Sequence, residues 1–96
     1  MSIDPDNRQV KVHNESVDFS PKEFDLLLFL ISRPRKVFSR EVLLDQIWGQ
    51  DYVGGIRTVD THIKNIREKL RKAGHSHIPI QTVWGVGYKF EGIDAQ

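Results

Sequence analysis

The segment from Arg57 to Lys72 carries the side chains whose types and spacing best suggest a chemical task. At about 100° per residue, one narrow stripe of a helix collects its aliphatic residues, which are Val59, Ile63, Ile66 and Leu70. The opposite side carries Arg57, Thr61, Lys64, Asn65, Glu68 and Lys72. Cations, an amide and a methyl-bearing hydroxyl are groups that read base edges in the major groove of DNA. A solvated amphipathic helix is the simpler interpretation of the same pattern.

The distribution of charge favours a surface that meets phosphate. The chain has 96 residues and a formal net charge of only +1. Residues 57–72, however, contain six Lys or Arg and two Asp or Glu, a local net charge of +4, so that the remainder sums to −3. One strongly basic element on an otherwise slightly acidic domain is the pattern expected of a nucleic-acid-binding helix.

Other functional classes find little support in the sequence. The absence of cysteine excludes a disulfide framework and thiolate chemistry. No apolar run reaches membrane-spanning length and no signal-peptide pattern is present, so we expect a cytoplasmic protein without membrane contact. The histidines lack catalytic partners at a suitable spacing, and His75 with His77 supplies only two metal ligands. We therefore expect no enzymatic activity, no cofactor and no metal.

The first 19 residues predict short strands of an antiparallel sheet. Residues 10–13 and 17–19 alternate apolar and polar side chains around a turn at Asn14-Glu15. Residues 2–4 have the character of the remains of an earlier strand.

A helix is predicted to begin directly after this sheet. Ser20, Pro21 and Glu23 form a capping box with proline at the first helical position. The helix should end near Ser32-Arg33-Pro34, because the residue before proline is disfavoured in the helical region. Its apolar stripe consists of Phe24, Leu27, Leu28 and Ile31, widened by Leu26, Phe29 and Leu30. We expect the four stripe residues to lie in the core with the aliphatic side of segment 57–72.

The remaining pattern completes a winged helix-turn-helix. A short extended stretch at 37–38 precedes a second helix, which is capped by Ser39 and ended by Gly49. After the basic helix, residues 78–91 form a hairpin with its tip at 84–87. We therefore predict an α+β fold in a single domain spanning 1–96. It comprises an N-terminal antiparallel sheet (1–19), a three-helix core (20–74) with recognition helix 57–72, and a C-terminal β-hairpin wing (78–91).

Four motifs occur in order within residues 8–91: Ser20-Pro21-Lys22-Glu23-Phe24-Asp25-Leu26-Leu27, Val37-Phe38-Ser39-Arg40-Glu41-Val42-Leu43, Arg57-Thr58-Val59-Asp60-Thr61-His62-Ile63, and Val86-Gly87-Tyr88-Lys89-Phe90. Together they resemble the DNA-binding output domain of OmpR/PhoB-type two-component response regulators. The resemblance implies a four-stranded N-terminal sheet, whose first strand is cut short here, and control of transcription. It also implies a phosphorylated receiver domain, absent from this chain, a sensor histidine kinase, and head-to-tail dimers on direct repeats of double-stranded DNA.

The resemblance also assigns DNA contacts along the recognition helix. The base-facing positions are Thr61, Lys64 and Asn65. Their chemistry is suitable, because a threonine methyl meets thymine, lysine donates to guanine and asparagine pairs with adenine. The positions that match contacts to the DNA backbone are Trp48, Arg57, Thr58, His62 and Arg67.

Three of these backbone positions have alternative structural roles. For Trp48, packing in the core is the favoured role and the DNA contact is the secondary one. For Arg67 the alternative to a DNA contact is an ion pair on the helix surface with Asp60 or Glu68. For His62 the alternative is a side chain that is exposed to solvent without a DNA contact.

Residues 82–89 are the part of the wing expected to contact DNA, and they depart from the family at one position. Trp84 stands where relatives commonly have an arginine that enters the minor groove. A tryptophan lacks that charge; it either stacks on sugar or against a groove wall, or folds back on the hairpin. Thr82, Tyr88 and Lys89 are then the candidate backbone contacts of the wing.

The loop after the second helix is the other candidate site. In relatives this loop can contact RNA polymerase, and here it contains Gln50, Asp51, Tyr52, Val53 and Gly54. An ordinary connector is the alternative.

A winged helix that binds protein rather than DNA is the main rival for the whole domain. Such a helix would present apolar or aromatic anchors, whereas the outer face of 57–72 is cationic.

Overall fold

The computed structural model describes residues 1–75 and 77–91, so residue 76 and residues 92–96 of the predicted domain lie outside the described part. In chain order the elements are β1 (Ser2–Asp4), β2 (Gln9–Val12), β3 (Glu15–Val17), α1 (Pro21–Ile31), β4 (Phe38–Ser39), α2 (Arg40–Trp48), α3 (Arg57–Lys72), β5 (Ile80–Val83) and β6 (Gly87–Phe90). This order is that of a winged helix-turn-helix, as the sequence predicts.

The N-terminal sheet is antiparallel, with strand order β1-β2-β3. It differs from expectation in two respects. Within residues 1–75 and 77–91 it has three strands rather than the four that the resemblance implies. The turn between β2 and β3 lies at His13-Asn14, one residue earlier than predicted. Both residues adopt positive φ, 52° and 68°, which a tight two-residue hairpin turn requires.

Local capping sets the starts of the first two helices. Ser20 accepts from the Glu23 N–H while the Glu23 carboxylate accepts from the Ser20 N–H, so the predicted capping box is confirmed. Ser39 caps α2 through the Val42 N–H, and Gly49 ends α2 with a φ of 93°. Helix α3 occupies the same range, 57–72, that its periodicity indicates.

The core joins all three helices to both sheets. The stripe of α3 is fully buried, as predicted, and the inward side chains of β2 close the core from the N-terminal side. The expected stripe of α1 is only half right. Phe24 and Leu27 are buried, but Leu28 and Ile31 are only partly buried. Because α1 contacts α2, α3 and β6 together, its buried face is centred on Leu26, Leu27 and Leu30 instead.

The C-terminal sheet is the wing together with one added strand. Strands β5 and β6 form the predicted hairpin, and β4 pairs with the other edge of β6 through Phe38↔Tyr88 and Ser39↔Gly87. A side chain on Gly87 would overlap the carbonyl oxygen of Phe38, so only glycine permits this close approach of backbones. The wing is therefore attached to the helical core by β4, directly before α2.

Candidate nucleic-acid interface

The outer face of α3 presents exposed polar side chains. Thr61, Lys64 and Asn65 are all exposed. Within residues 1–75 and 77–91, none of the three makes a side-chain hydrogen bond or salt bridge, and the same holds for Arg57 at the helix start. Their hydrogen-bonding groups are therefore available to a partner outside the protein.

An aromatic cluster supports the N-terminal end of α3. The rings of Trp48 and His62 meet edge to face with centroids 4.8 Å apart. Nδ1 of His62 lies 2.8 Å from the Thr58 carbonyl oxygen; because a carbonyl only accepts, Nδ1 carries the proton. Trp48 is half-buried, so it serves the core while its edge remains near the surface. His62 is likewise half-buried rather than freely exposed.

The loop between α2 and α3 is anchored to this same end of the helix. The Tyr52 hydroxyl lies 3.1 Å from Oγ1 of Thr58, and its ring lies 6.1 Å from that of Trp48. A side chain on Gly54 would overlap the Tyr52 ring. Beyond this anchor the loop is open, since Val53 is 97% exposed. Gln50 and Asp51 are exposed as well.

The side chain of Arg67 is hydrogen-bonded to the wing. Its Nε donates to the Ile80 carbonyl oxygen at 3.1 Å, and one terminal nitrogen donates to Oγ1 of Thr82 at 2.9 Å. The guanidinium also lies 5.5 Å from the centroid of the Tyr88 ring. Burial lowers the pKa of Arg67 from its ordinary value, yet an arginine remains charged at neutral pH.

The two ion-pair partners considered for Arg67 have other partners. Glu68 pairs with Arg71 at 2.7 Å. Asp60 accepts from the Tyr88 hydroxyl at 2.6 Å and from Arg40 at 3.0 Å. Sequence reasoning assigned no role to Arg40 and none to Asp60 beyond pairing with Arg67. The only available signal was the placement of Asp60 and Arg67 two helical turns apart, on one side of the helix.

Burial and Asp60 together determine the state of Tyr88. Tyr88 is 8% exposed. Burial, followed by the hydrogen bond to the Asp60 carboxylate, raises the pKa of its phenol to about 12. The hydroxyl therefore remains protonated and donates inward, so it faces Asp60 rather than solvent. The third candidate wing contact, Lys89, is partly buried and pairs with Glu91 at 2.9 Å.

Trp84 is largely exposed at the tip of the wing. It is 89% exposed, and its neighbour Val86 is 52% exposed. The sequence left two arrangements open for this side chain, one available to DNA and one folded back on the hairpin. The exposure of the indole corresponds to the first arrangement.

Two negative observations apply to the described residues, 1–75 and 77–91. None of their helices combines the length and the apolar character that a membrane crossing requires. They also contain no group of three side chains placed to hold a metal ion.

Comparison with known proteins identifies the family. Residues 14–90 match the family described as "Transcriptional regulatory protein, C terminal". The chain is 50% identical over 93 residues to the transcriptional regulatory protein SrrA of Staphylococcus aureus, covering 95% of this chain and 38% of SrrA. It therefore spans well under half of that relative's length.

Solved structures show the same architecture. The DNA-binding domain of Klebsiella pneumoniae RstA, in complex with the RstA box, has a TM-score of 0.79 and 37% identity, covering 93% of this chain and 88% of that one. The response regulator DrrB of Thermotoga maritima, described as an OmpR/PhoB homologue, has a TM-score of 0.82 and 38% identity, covering 94% of this chain and 41% of that one. The chain therefore belongs to the C-terminal domain family of transcriptional regulatory proteins and has the winged-helix fold of OmpR/PhoB-type response regulators.

Proposed function

We propose that this domain binds double-stranded DNA sequence-specifically, as the output domain of a two-component response regulator that controls transcription. One observation carries the proposal: Thr61, Lys64 and Asn65 are exposed on the face of α3 opposite its buried stripe, and within residues 1–75 and 77–91 their side chains have no partner. A helix held in this way can enter the major groove, where these three side chains read base edges. The DNA complex of the related RstA domain supports the same mode of action.

The N-terminal end of α3 is proposed to hold the DNA backbone. Arg57 supplies an exposed charge, and Thr58 supplies a hydroxyl beside it. Trp48 and His62 form the packed surface next to them. Contacts of this kind position a protein on the duplex without reading its sequence.

The wing is proposed to lie beside the groove with Trp84 against sugar or the groove wall. An exposed indole can bury apolar area and donate one hydrogen bond, but it adds no cation. Thr82 and Lys89 remain candidate backbone contacts, although each has an internal partner in the free domain. Tyr88 and Arg67 would have to release theirs as well before touching phosphate.

Further roles belong to the longer protein. We infer head-to-tail pairing on direct repeats, an upstream receiver domain, a sensor histidine kinase and a cytoplasmic location in a bacterium. The α2–α3 loop, with Gln50, Asp51, Val53 and Gly54, is the proposed contact for RNA polymerase, while Tyr52 anchors it. No catalytic role is proposed.

Selection of bound duplexes from a random library tests the proposal directly. We expect the 96-residue chain to enrich a defined motif. The double variant Lys64→Ala/Asn65→Ala should lose that enrichment, whereas Lys11→Ala, an exposed lysine on β2, should retain it. Failure of the unaltered chain to enrich any motif would overturn sequence-specific binding.

A further inference from the structure

We propose that Asp60 and Arg67 are positioning residues that fix the angle between the recognition helix and the wing, so that both engage DNA as one rigid unit. The inference rests on the proposed DNA binding. It assigns to Arg67 a task different from phosphate contact, and it adds Asp60 to the functional residues.

The two side chains hold the wing at separate points. They are seven residues apart on α3, about 10 Å along the helix axis at 1.5 Å per residue. Asp60 holds β6 through the Tyr88 hydroxyl, and Arg67 holds β5 through the Ile80 carbonyl and the Thr82 hydroxyl. Two separated attachments oppose rotation of the hairpin against the helix, which a single attachment does not.

The chemistry of the attachments makes them specific. Nε and a terminal nitrogen of one planar guanidinium meet two acceptors on the same strand, a fork that a lysine ammonium does not reproduce. Arg40 offsets the charge of Asp60 on its other oxygen. These groups are partly buried, so breaking one attachment leaves a polar group poorly satisfied. The paired arrangement is therefore favoured over other hairpin orientations.

The tip of the wing needs such support. A groove of about 420 Å³ separates it from the helices; Asp60 and Arg67 line the inner side and Trp84 to Tyr88 line the wing side. Trp84 is 89% exposed, and β4 pairs with β6 only at Phe38↔Tyr88 and Ser39↔Gly87, at the end of β6 nearest the tip. With the wing held in place before binding, the entropic cost of orienting Trp84 is incurred on folding rather than on DNA association.

Conservative variants separate positioning from phosphate contact. Arg67→Lys retains the charge but removes the fork, and Thr82→Val removes one acceptor without changing charge. Arg71→Lys is the matched control, because Arg71 lies on the same helix, is exposed and pairs only with Glu68 among the described residues. Asp60→Ala, which removes the acceptor of the Tyr88 hydroxyl, tests the second attachment. Thermal unfolding by circular dichroism checks that each variant is folded.

The first measurement uses the free protein. In a Trp48→Phe background, Trp84 is the only tryptophan of the chain, so its time-resolved fluorescence anisotropy reports on wing motion. We expect added nanosecond motion in Arg67→Lys, Thr82→Val and Asp60→Ala, and none in Arg71→Lys. Unchanged anisotropy in Thr82→Val and Arg67→Lys would overturn the proposal, whether or not the protein binds DNA.

The second measurement uses the selected duplex over a range of salt concentrations. We expect Arg67→Lys and Arg67→Ala to lose affinity to a similar extent, roughly tenfold, with an unchanged salt slope. A phosphate contact would instead lose about one unit of slope in Arg67→Ala and recover it in Arg67→Lys. That second pattern would overturn positioning by Arg67. Absence of binding by the unaltered chain would overturn the proposed function and leave the anisotropy result standing.

Discussion

The outer face of α3 and the wing both carry cations and hydroxyls, but the fold uses them in opposite ways. On α3, Arg57 and Lys64 have no ion pair among the described residues and extend into solvent. In and around the wing, Arg67 and Lys89 are each bound to another group of the protein. Polar side chains are therefore free where base reading is proposed, and they are engaged internally where a rigid projection is needed.

This difference shows that residue type alone does not indicate a DNA contact. Arg67 has the same charge as Arg57, yet its guanidinium already has acceptors on β5. A free cation releases counterions from DNA on binding and strengthens the salt dependence. A cation with internal partners would first have to lose them. Two arginines on one helix therefore predict different mutant behaviour.

The largest effect is expected from the core that both regions share. Ile63→Ala should lower the free energy of unfolding by roughly 2–5 kcal/mol, because it empties a site that is 1% exposed beneath α3. Val42→Ala is the control, since Val42 is 43% exposed; it should cost less than about half a kcal/mol. Urea denaturation measures both. Equal costs would place α3 with the wrong face inward.

The next effect tests the free face of α3. Lys64→Ala and Asn65→Ala should each weaken binding to the cognate duplex by roughly 1–3 kcal/mol and relax base preference at a few positions. The reason is that neither side chain has a partner among the residues that the structure describes, and each is proposed to gain one on a base edge. Affinities for cognate and scrambled duplexes provide the measurement, and equal losses on both would remove these residues from base reading.

Arg57 tests the backbone contact at the start of α3. Arg57→Ala should weaken binding to all duplexes to a similar extent and reduce the salt slope by about one unit. Arg71→Ala, which removes an arginine already paired with Glu68, should leave the slope unchanged. If both variants retain the full slope, Arg57 is not on phosphate.

Trp84 tests whether the tip of the wing contacts DNA. In the Trp48→Phe background, iodide should quench its fluorescence in the free domain, because the side chain is 89% exposed, and DNA should protect it. Trp84→Arg should steepen the salt dependence by about one unit, since it adds a cation near phosphate. Quenching that is the same with and without DNA would mean that the wing tip does not reach the duplex.

The smallest effect at neutral pH concerns Tyr88. Its pKa is raised to about 12, so its contribution to stability is complete below about pH 10 and is lost as pH rises toward 12. In a Tyr52→Phe background Tyr88 is the only tyrosine, and ultraviolet absorbance follows tyrosinate formation. We expect the midpoint near 12 and a lower midpoint in Asp60→Asn. A midpoint near 10 in the unaltered side chain would argue against the bond to Asp60.

Glu23 is expected to affect the free energy of unfolding at acidic pH, whereas Tyr88 affects it at alkaline pH. Burial by itself raises the pKa of the Glu23 carboxyl, but the bonds from Lys69 and from the Ser20 N–H outweigh it and leave the pKa below the ordinary value of 4.5. Glu23 therefore stabilises the fold above that value, and the contribution is lost as pH falls through the lower folded-state pKa. The sequence indicated the capping bond but not Lys69, which is 46 residues away.

Local signals account for most of what was predictable. Ser20, Ser39 and Gly49 mark helix ends through bonds to residues only a few positions away, and the helix bounds follow from them. The α1 stripe was partly wrong, because Leu28 and Leu26 differ in burial only through the elements that surround the helix. Residue patterns did indicate the three described strands of the N-terminal sheet, whereas the fourth strand came only from the resemblance.

The sequence by itself determined the helices, their caps, the buried side of α3 and the set of side chains that faces outward. These features depend on spacing within one element, which periodicity and capping report directly. Only the tertiary structure decided which polar groups remain free. Arg67 meets Thr82 across 15 residues, and Tyr88 meets Asp60 across 28. Such pairings arise from the packing of separate elements, and no local pattern contains that information.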